Sequence, residues 1–405
     1  MEWGGKLFKG ASINPQQLGE REALMASEQQ DTIEVPAIGR SRHLVDEILA
    51  EADIQVNGDR PWDIQVHREE ALDEIVARHS MGLGETYMRG DWDVQALDQF
   101  VYKILEADLG RHAKTWRYAW RYLRSFLINL QSRRRAFEVG EHHYDLGNEF
   151  YTGMLDNRLT YSCGYWKDAQ TLDEAQEAKL DLICRKLQLE PGMRLLDIGC
   201  GWGSLIGYAA QKYQVECVGV TISREQRAYV SERYANLPIT VSLQDYRMLD
   251  EPFDRIASVG MFEHVGRKNH RAFMEVAKRC LKKDGTLLLH TIGKARPANT
   301  DPWIEKYIFP NGEIPAATQI TKAAQDLLTL EDLHNFGPDY DKTLMAWHKN
   351  FEENWPRFAD RYGRRFYRMW RYYLLFCAAT FRVRRVQLWQ WMLSKNRVGG
   401  VERIC

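Results

Sequence analysis

The chain has 405 residues, 44% of them hydrophobic and 27% charged, which is enough for two domains with a core each. A formal net charge of −1 argues against a general nucleic-acid binder, which needs a basic surface. The seven cysteines, Cys163, Cys184, Cys200, Cys217, Cys280, Cys377 and Cys405, include no C-x-x-C pair, so neither a metal site nor a disulfide framework is expected and a reducing cytoplasm fits.

In chain order, residues 1–40 are polar and poorly patterned and are expected to be a tail. No signal-peptide pattern is read there, and no run reaches the ~18 apolar residues of a membrane span. The nearest, Tyr372–Phe381, is bracketed by Arg371 and Arg382, so the chain is expected to touch a membrane without crossing it. Residues 41–110 read as a small N-terminal domain. Residues 111–135 read as a helical linker carrying Arg111, Lys114, Arg117, Arg121, Arg124, Arg133, Arg134 and Arg135 with no acidic residue, interleaved with Trp116, Tyr118, Trp120, Tyr122 and Phe126. That interleaving suits a helix lying against an anionic membrane surface.

Residues 136–405 read as an α/β domain. Leu195, Leu196 and Ile198 predict a strand covered on both faces, breaking at Gly199, Gly201 and Gly203 into a helix over 204–213. Further strands are predicted over 215–220, 239–245, 253–260 and 285–292, with a helix over 270–281. Ser223 with Gln226 predicts a capping box opening a helix that runs to about Ala235. Prolines interrupt 294–340, an insert expected to lie over the ligand crevice. The remainder is expected to be helical, with Tyr362, Phe366, Met369, Tyr373 and Phe376 at helical spacing beside Arg361, Arg364, Arg365, Arg368 and Arg371.

Strands alternating with helices imply a Rossmann-like, doubly wound parallel sheet, which binds ligands beyond the carboxyl ends of its strands. Asp197, Thr221, Asp245, Glu263 and His290 fall at or just after such ends and are expected to line one crevice. The loop has G-x-G-x-G spacing, not the dinucleotide G-x-G-x-x-G, and no G-K-[ST] follows it. With Asp197 ahead of the glycines, it resembles motif I of the class I S-adenosylmethionine methyltransferases, where the loop packs against the methionine moiety of the cofactor.

Nine motifs in sequence, spread over about 40–405, carry a closer resemblance. They are Glu141–Asn148, Leu159–Trp166, Leu195–Ser204, Gly219–Ser223, Leu243–Arg247, Gly260–Gly266, Leu288–Gly293, Tyr307–Gly312 and His334–Tyr340. In this order they resemble the cyclopropane-fatty-acyl-phospholipid synthases, relatives of the mycolic acid cyclopropane synthases. The resemblance implies transfer of a methylene group from S-adenosylmethionine to the cis double bond of phospholipid acyl chains. It also implies a homodimer, peripheral to the inner face of the membrane. For the cofactor it implies Tyr161 and Ser162 near the methionine end, the loop glycines, Thr221 and Gln226 near the ribose, and Asp245 and Tyr246 by the adenine. Thr221 stands where most class I enzymes have an acidic ribose ligand, a feature the family shares. For the base it implies a bound bicarbonate held by the side chains of Glu263, His290 and Tyr340 and by backbone at Cys163 and Ile292.

The reaction needs a dry pocket, because an isolated alkene is a weak nucleophile, and aromatic faces that stabilise a carbocation by ~0.5–2 kcal/mol each. Tyr161, Tyr165, Trp166, Phe262, Tyr307, Phe309 and Phe336 are the aromatic candidates. Three alternatives stay open: a lipid methyltransferase that stops at a methyl or methylene branch, a binding module without catalysis, and a nicotinamide dehydrogenase, which the glycine spacing disfavours.

Overall fold

A computed structural model describes residues 40–108 and 147–404. The expected tail, apart from Arg40, and the basic-aromatic linker 111–135 lie outside the described residues. A short antiparallel pair, β1 (Gln65–Val66) and β2 (Trp92–Asp93), belongs to the N-terminal part. The main sheet comprises β3 (Arg194–Ile198), β4 (Glu216–Thr221), β5 (Ile239–Leu243), β6 (Phe253–Val259), β7 (Leu281–Gly293), β8 (Thr329–Asn335) and β9 (Gln387–Ser394).

Its order is β5-β4-β3-β6-β7-β9-β8, parallel from β5 to β7, with β9 antiparallel to both its neighbours. The order reverses between β3 and β6, which opens a crevice at their carboxyl ends. Leu195, Leu196, Ile256, Ala257, Leu287 and Leu288 are all within 1% of full burial, as expected where helices cover both faces. The helix Ser204–Tyr213 has the predicted bounds.

Besides the short pair β1 and β2, two strands of the main sheet were not anticipated. Residues 387–394, expected to be helical, are β9, whose alternation is invisible because seven of its eight residues are buried, Gln390 among them. Residues 329–335, read as part of the insert, are the edge strand β8, whose Glu331, Asp332 and His334 make it look like a loop. Charges on an edge discourage pairing with another chain.

Residues 40–108 do not close around a core of their own. Leu72, Tyr87, Trp92 and Phe100 pack in one continuous apolar cluster with Trp303, Trp347, Tyr372 and Leu374. The join is polar as well as apolar. Arg368 in the helix Ala359–Arg382 is buried and donates to the carbonyls of Tyr87 and Trp92, and Arg382 bridges Asp98 and Asp341 at 2.8 and 2.9 Å. Of the basic edge expected on this helix, Arg361, Arg364 and Arg365 are exposed, whereas Arg368 and Arg371 turn into the join. Among the described residues no helix is long and apolar enough to cross a membrane.

Candidate active site

The site begins where β3 breaks. Gly199 and Cys200 donate their N–H groups to Val220 O at 2.9 and 3.0 Å, folding the loop over the end of β4. All three loop glycines have positive φ, and the surroundings separate their tasks. A Cβ on Gly199 would lie 2.6 Å from the Met261 side chain, and one on Gly203 would lie 3.0 Å from Val230. Those two glycines permit close packing. Gly201, at φ +54°, has nothing within 4 Å of its Cβ position, so it borders open space.

That space is a cavity of about 280 Å³ at the carboxyl ends of the parallel strands. Its walls gather Tyr161, Ser162, Asp197, Gly199, Gly201, Thr221, Gln226, Asp245, Tyr246, Glu263, Ile292 and Tyr340 from the sequence-derived set. Three members of that set are off the wall. Gly203 packs behind the loop, Cys163 is wholly buried with its thiol toward Gly164 O, and His290 lies behind the cavity against Phe336. Burial pushes the Cys163 thiol well above the ordinary thiol range, which removes it as a nucleophile.

At the loop end, Ser223 caps its helix through Gln226 N at 3.2 Å, but the Gln226 side chain does not complete the anticipated box. Instead Thr221 Oγ1 donates to Gln226 Oε1 at 2.7 Å, leaving Gln226 Nε2 buried without a protein partner. Asp197 Oδ1 is likewise buried and unpartnered, and burial pushes its carboxyl up to about 7. Asp245 is held by Arg247, whose Nε donates to Oδ1 at 2.8 Å, and Tyr246 packs on Phe273 with ring centroids 5.6 Å apart.

At the other end, Ile292 N donates to Glu263 Oε1 at 2.6 Å while Oε2 is buried without a partner. Ile292, whose backbone the resemblance assigns to the anion, orients Glu263 through its amide. Burial pushes the Glu263 carboxyl up to about 7. Gln390 Nε2 donates to His290 Nδ1 at 3.3 Å, so the neutral ring carries its proton on Nε2, an atom with no protein partner. Burial holds His290 well below the usual imidazole range. Burial also pushes the Tyr340 phenol well up, and Cys163 and Glu263 add to that rise.

Of the seven aromatic candidates only Tyr161 and Phe309 reach the cavity. Phe262 is buried and stacks on His270 at 4.4 Å, Tyr307 donates to Glu85 at 2.8 Å, Tyr165 packs on Phe336 and Trp166 Nε1 donates to Thr343. Phe309 and Gly312 bring the 294–340 insert onto the wall. Tyr373, read above only as part of a helical stripe, also lines the cavity, its hydroxyl 2.9 Å from that of Tyr161. Sequence reasoning missed Lys179 altogether. Its one signal was position, since it shares a helix face with Leu172, Ala175, Gln176 and Ile183, where a solvated lysine does not belong.

A glycine loop after the first strand of such a sheet, with one oxygen each of Asp197 and Glu263 left unpartnered on the cavity it borders, is a cofactor site of the kind the S-adenosylmethionine-dependent methyltransferases have. Comparison with known proteins narrows the class. Residues 131–391 match the family model described as mycolic acid cyclopropane synthetase. The chain is 50% identical over 360 residues to the cyclopropane-fatty-acyl-phospholipid synthase of Escherichia coli (strain K12), covering 88% of this chain and 94% of that one. It is 37% identical over 273 residues to cyclopropane mycolic acid synthase 1 of Mycobacterium tuberculosis (strain H37Rv), covering 62% and 95%. The solved structure of mycolic acid cyclopropane synthase CmaA1 complexed with SAH and CTAB aligns with TM-score 0.61 at 36% identity, covering 64% of this chain and 98% of that one. The chain belongs to the mycolic acid cyclopropane synthetase family.

Gly201→Val is expected to abolish binding of S-adenosylhomocysteine in a folded protein, because the new side chain enters the cavity. The positive φ adds about 1–3 kcal/mol of strain, so calorimetric titration is paired with circular dichroism. Near-normal affinity in the folded variant would remove Gly201 from the cofactor site.

Proposed function

We propose that this chain converts cis double bonds in phospholipid acyl chains to cyclopropane rings, with Glu263, His290 and Tyr340 holding a bicarbonate base. The observation that carries the reading is the buried, unpartnered Oε2 of Glu263 on the wall of a cavity whose other end is the glycine loop, with a second buried polar atom, His290 Nε2 on β7, also left without a protein partner. Unpaired polar atoms in a dry site are costly, so a ligand that pairs with them is favoured. The name of the Escherichia coli relative, at 50% identity over most of both chains, supports an acyl phospholipid as acceptor.

When bound, S-adenosylmethionine would supply an electrophilic methyl carbon to the alkene, with the thioether as leaving group, and bicarbonate would supply the base for the proton that must leave the new methyl for the ring to close. The chain's own residues have three tasks. Gly199, Gly201, Thr221, Gln226, Asp245 and Tyr246, with Tyr161 and Ser162, hold the cofactor against the loop. Tyr161, Phe309 and Tyr373 present aromatic surface where positive charge develops on the lipid. Glu263 at about 7 can hold a proton beside an anion instead of repelling it, and His290 Nε2 and the Tyr340 hydroxyl donate hydrogen bonds. Ile292 fixes Glu263, and backbone at Cys163 completes the proposed anion set.

We further propose that the chain works as a homodimer on the anionic inner face of the membrane, docked through 111–135. The support is the run of basic residues interleaved with aromatics and without acidic ones.

Glu263→Gln, His290→Ala and Tyr340→Phe are each expected to lower turnover by about 10²–10³-fold, the usual loss for one preorganised hydrogen bond to a reacting charge, while sparing S-adenosylhomocysteine affinity. Their effects combine non-additively if all three position one base. Bicarbonate depletion slows the wild type and re-addition restores it; a rate indifferent to bicarbonate, after retained anion has been exchanged out, would make Glu263 itself the base. A second measurement addresses docking. Replacing Arg117, Arg121 and Arg124 with Glu is expected to cut sedimentation with anionic vesicles at low salt, each basic residue contributing about 1 kcal/mol. Unchanged sedimentation would leave the segment a linker.

A further inference from the structure

Beneath the loop end of the cavity lies a charged group that the reaction as described leaves without a task. Lys179, in the helix Leu172–Lys186, is 1% exposed, yet it forms part of the cavity wall. Its Nζ donates to Ser162 Oγ at 2.9 Å, while Gln176, one turn earlier on the same face, donates to Ser162 O at 2.7 Å. One helix face thus grips both the hydroxyl and the carbonyl of a residue on the cavity wall. The titratable groups that bear on Lys179 come from three other elements: Asp156 and Cys163 from the segment before the helix, Asp197 from β3, and His290 from β7. Asp156 is already engaged by the amides of Thr160 and Arg158. Asp197 has Oδ1 buried with no partner.

We propose that Lys179 is a positioning residue for the cofactor: it fixes the Ser162 hydroxyl and keeps Asp197 ionised, so that Asp197 can accept hydrogen bonds from the ammonium of the methionine end. The inference rests on the methyltransferase reading above and deepens it. Lys179 and Asp197 are both buried and both line this cavity, and opposite charges in one buried site support each other's ionised form. Burial lifts Asp197 to about 7 and depresses Lys179 to about 8, and the charge of each opposes the other's shift, Asp156 acting on Lys179 in the same sense. Below about 7 Asp197 takes up a proton and loses its acceptor role, so affinity is expected to fall as pH falls. Without the lysine that decline begins at higher pH.

The test is calorimetric titration of the full chain with S-adenosylhomocysteine between pH 6 and pH 8.5, on the wild type and on Lys179→Met, Asp197→Asn and the double variant. Lys179→Met is expected to weaken binding at pH 7.5 by roughly 10- to 100-fold, the range for a lost hydrogen bond to a charged group, and to move the pH midpoint upward. Asp197→Asn is expected to flatten the pH profile, and Lys179→Met is expected to add little to it. Circular dichroism reports folding. A folded Lys179→Met with the wild-type affinity and midpoint overturns the proposal. If Lys179→Met fails to fold, Asp197→Asn decides alone, because an unaltered pH profile there removes the carboxylate from the scheme. A wild type that does not bind S-adenosylhomocysteine at all contradicts the methyltransferase reading instead, and takes the proposal with it.

Discussion

The constraint on which this structure turns is the placing of carboxylates in a dry cavity with no protein partner for one oxygen each. Asp197 at the end of β3 and Glu263 just beyond β6 both sit where strands of a parallel sheet stop and the chain turns into loop. Burial lifts both to about 7, so near neutral pH each is poised between charged and neutral forms. Such groups destabilise the empty protein and reward a ligand that satisfies them. For an acid raised in the fold, the native state binds more protons than the unfolded one between about 4 and 7, so this contribution to folding falls as pH rises through that window.

The rest of the architecture builds the walls of that cavity. The helix Ala359–Arg382 supplies Tyr373 to the wall, and the same helix anchors residues 40–108 through Arg368 and Arg382. The N-terminal part therefore shares its core with the element that brings Tyr373 to the cavity wall. On the opposite side the helix Glu70–Arg89 contacts the insert. Glu85 accepts from Lys306 and Tyr307, and Gly84 leaves room for the Trp303 ring, only 2.3 Å from where a Cβ would stand. Phe309, two residues beyond Tyr307, reaches the cavity.

The parallel half of the sheet was legible because its signals are local. Apolar runs bounded by Gly199–Gly203, by Ser223 and by Gly260 mark strand ends, and ligand residues follow strand ends. The antiparallel strand β9 was not legible, because Gln387–Ser394 is buried on both faces and periodicity cannot distinguish such a run from a helix. The cofactor-loop residues were placed on the wall by the glycine motif, whereas Lys179 had no motif to announce it. Nor could spacing separate Tyr161 and Phe309 from Phe262 or Tyr307, since which ring faces the cavity depends on distant partners such as His270 and Glu85. Ile292 shows the same limit in miniature: its N–H donates to Glu263, 29 residues away, a pairing that no local spacing announces.

The account stands or falls on the fate of the lipid. The most direct measurement incubates the protein with vesicles of a cis-unsaturated phospholipid and S-adenosylmethionine carrying a ¹³C-labelled methyl group, then reads the product by mass spectrometry and NMR. Ring closure predicts a gain of one CH₂ in the acyl chain, loss of the alkene signals and the label in a ring CH₂ between two former alkene carbons. A labelled methyl or methylene branch would show that the proton is removed elsewhere, and an unlabelled lipid from a protein that binds the cofactor would contradict transfer to acyl chains altogether.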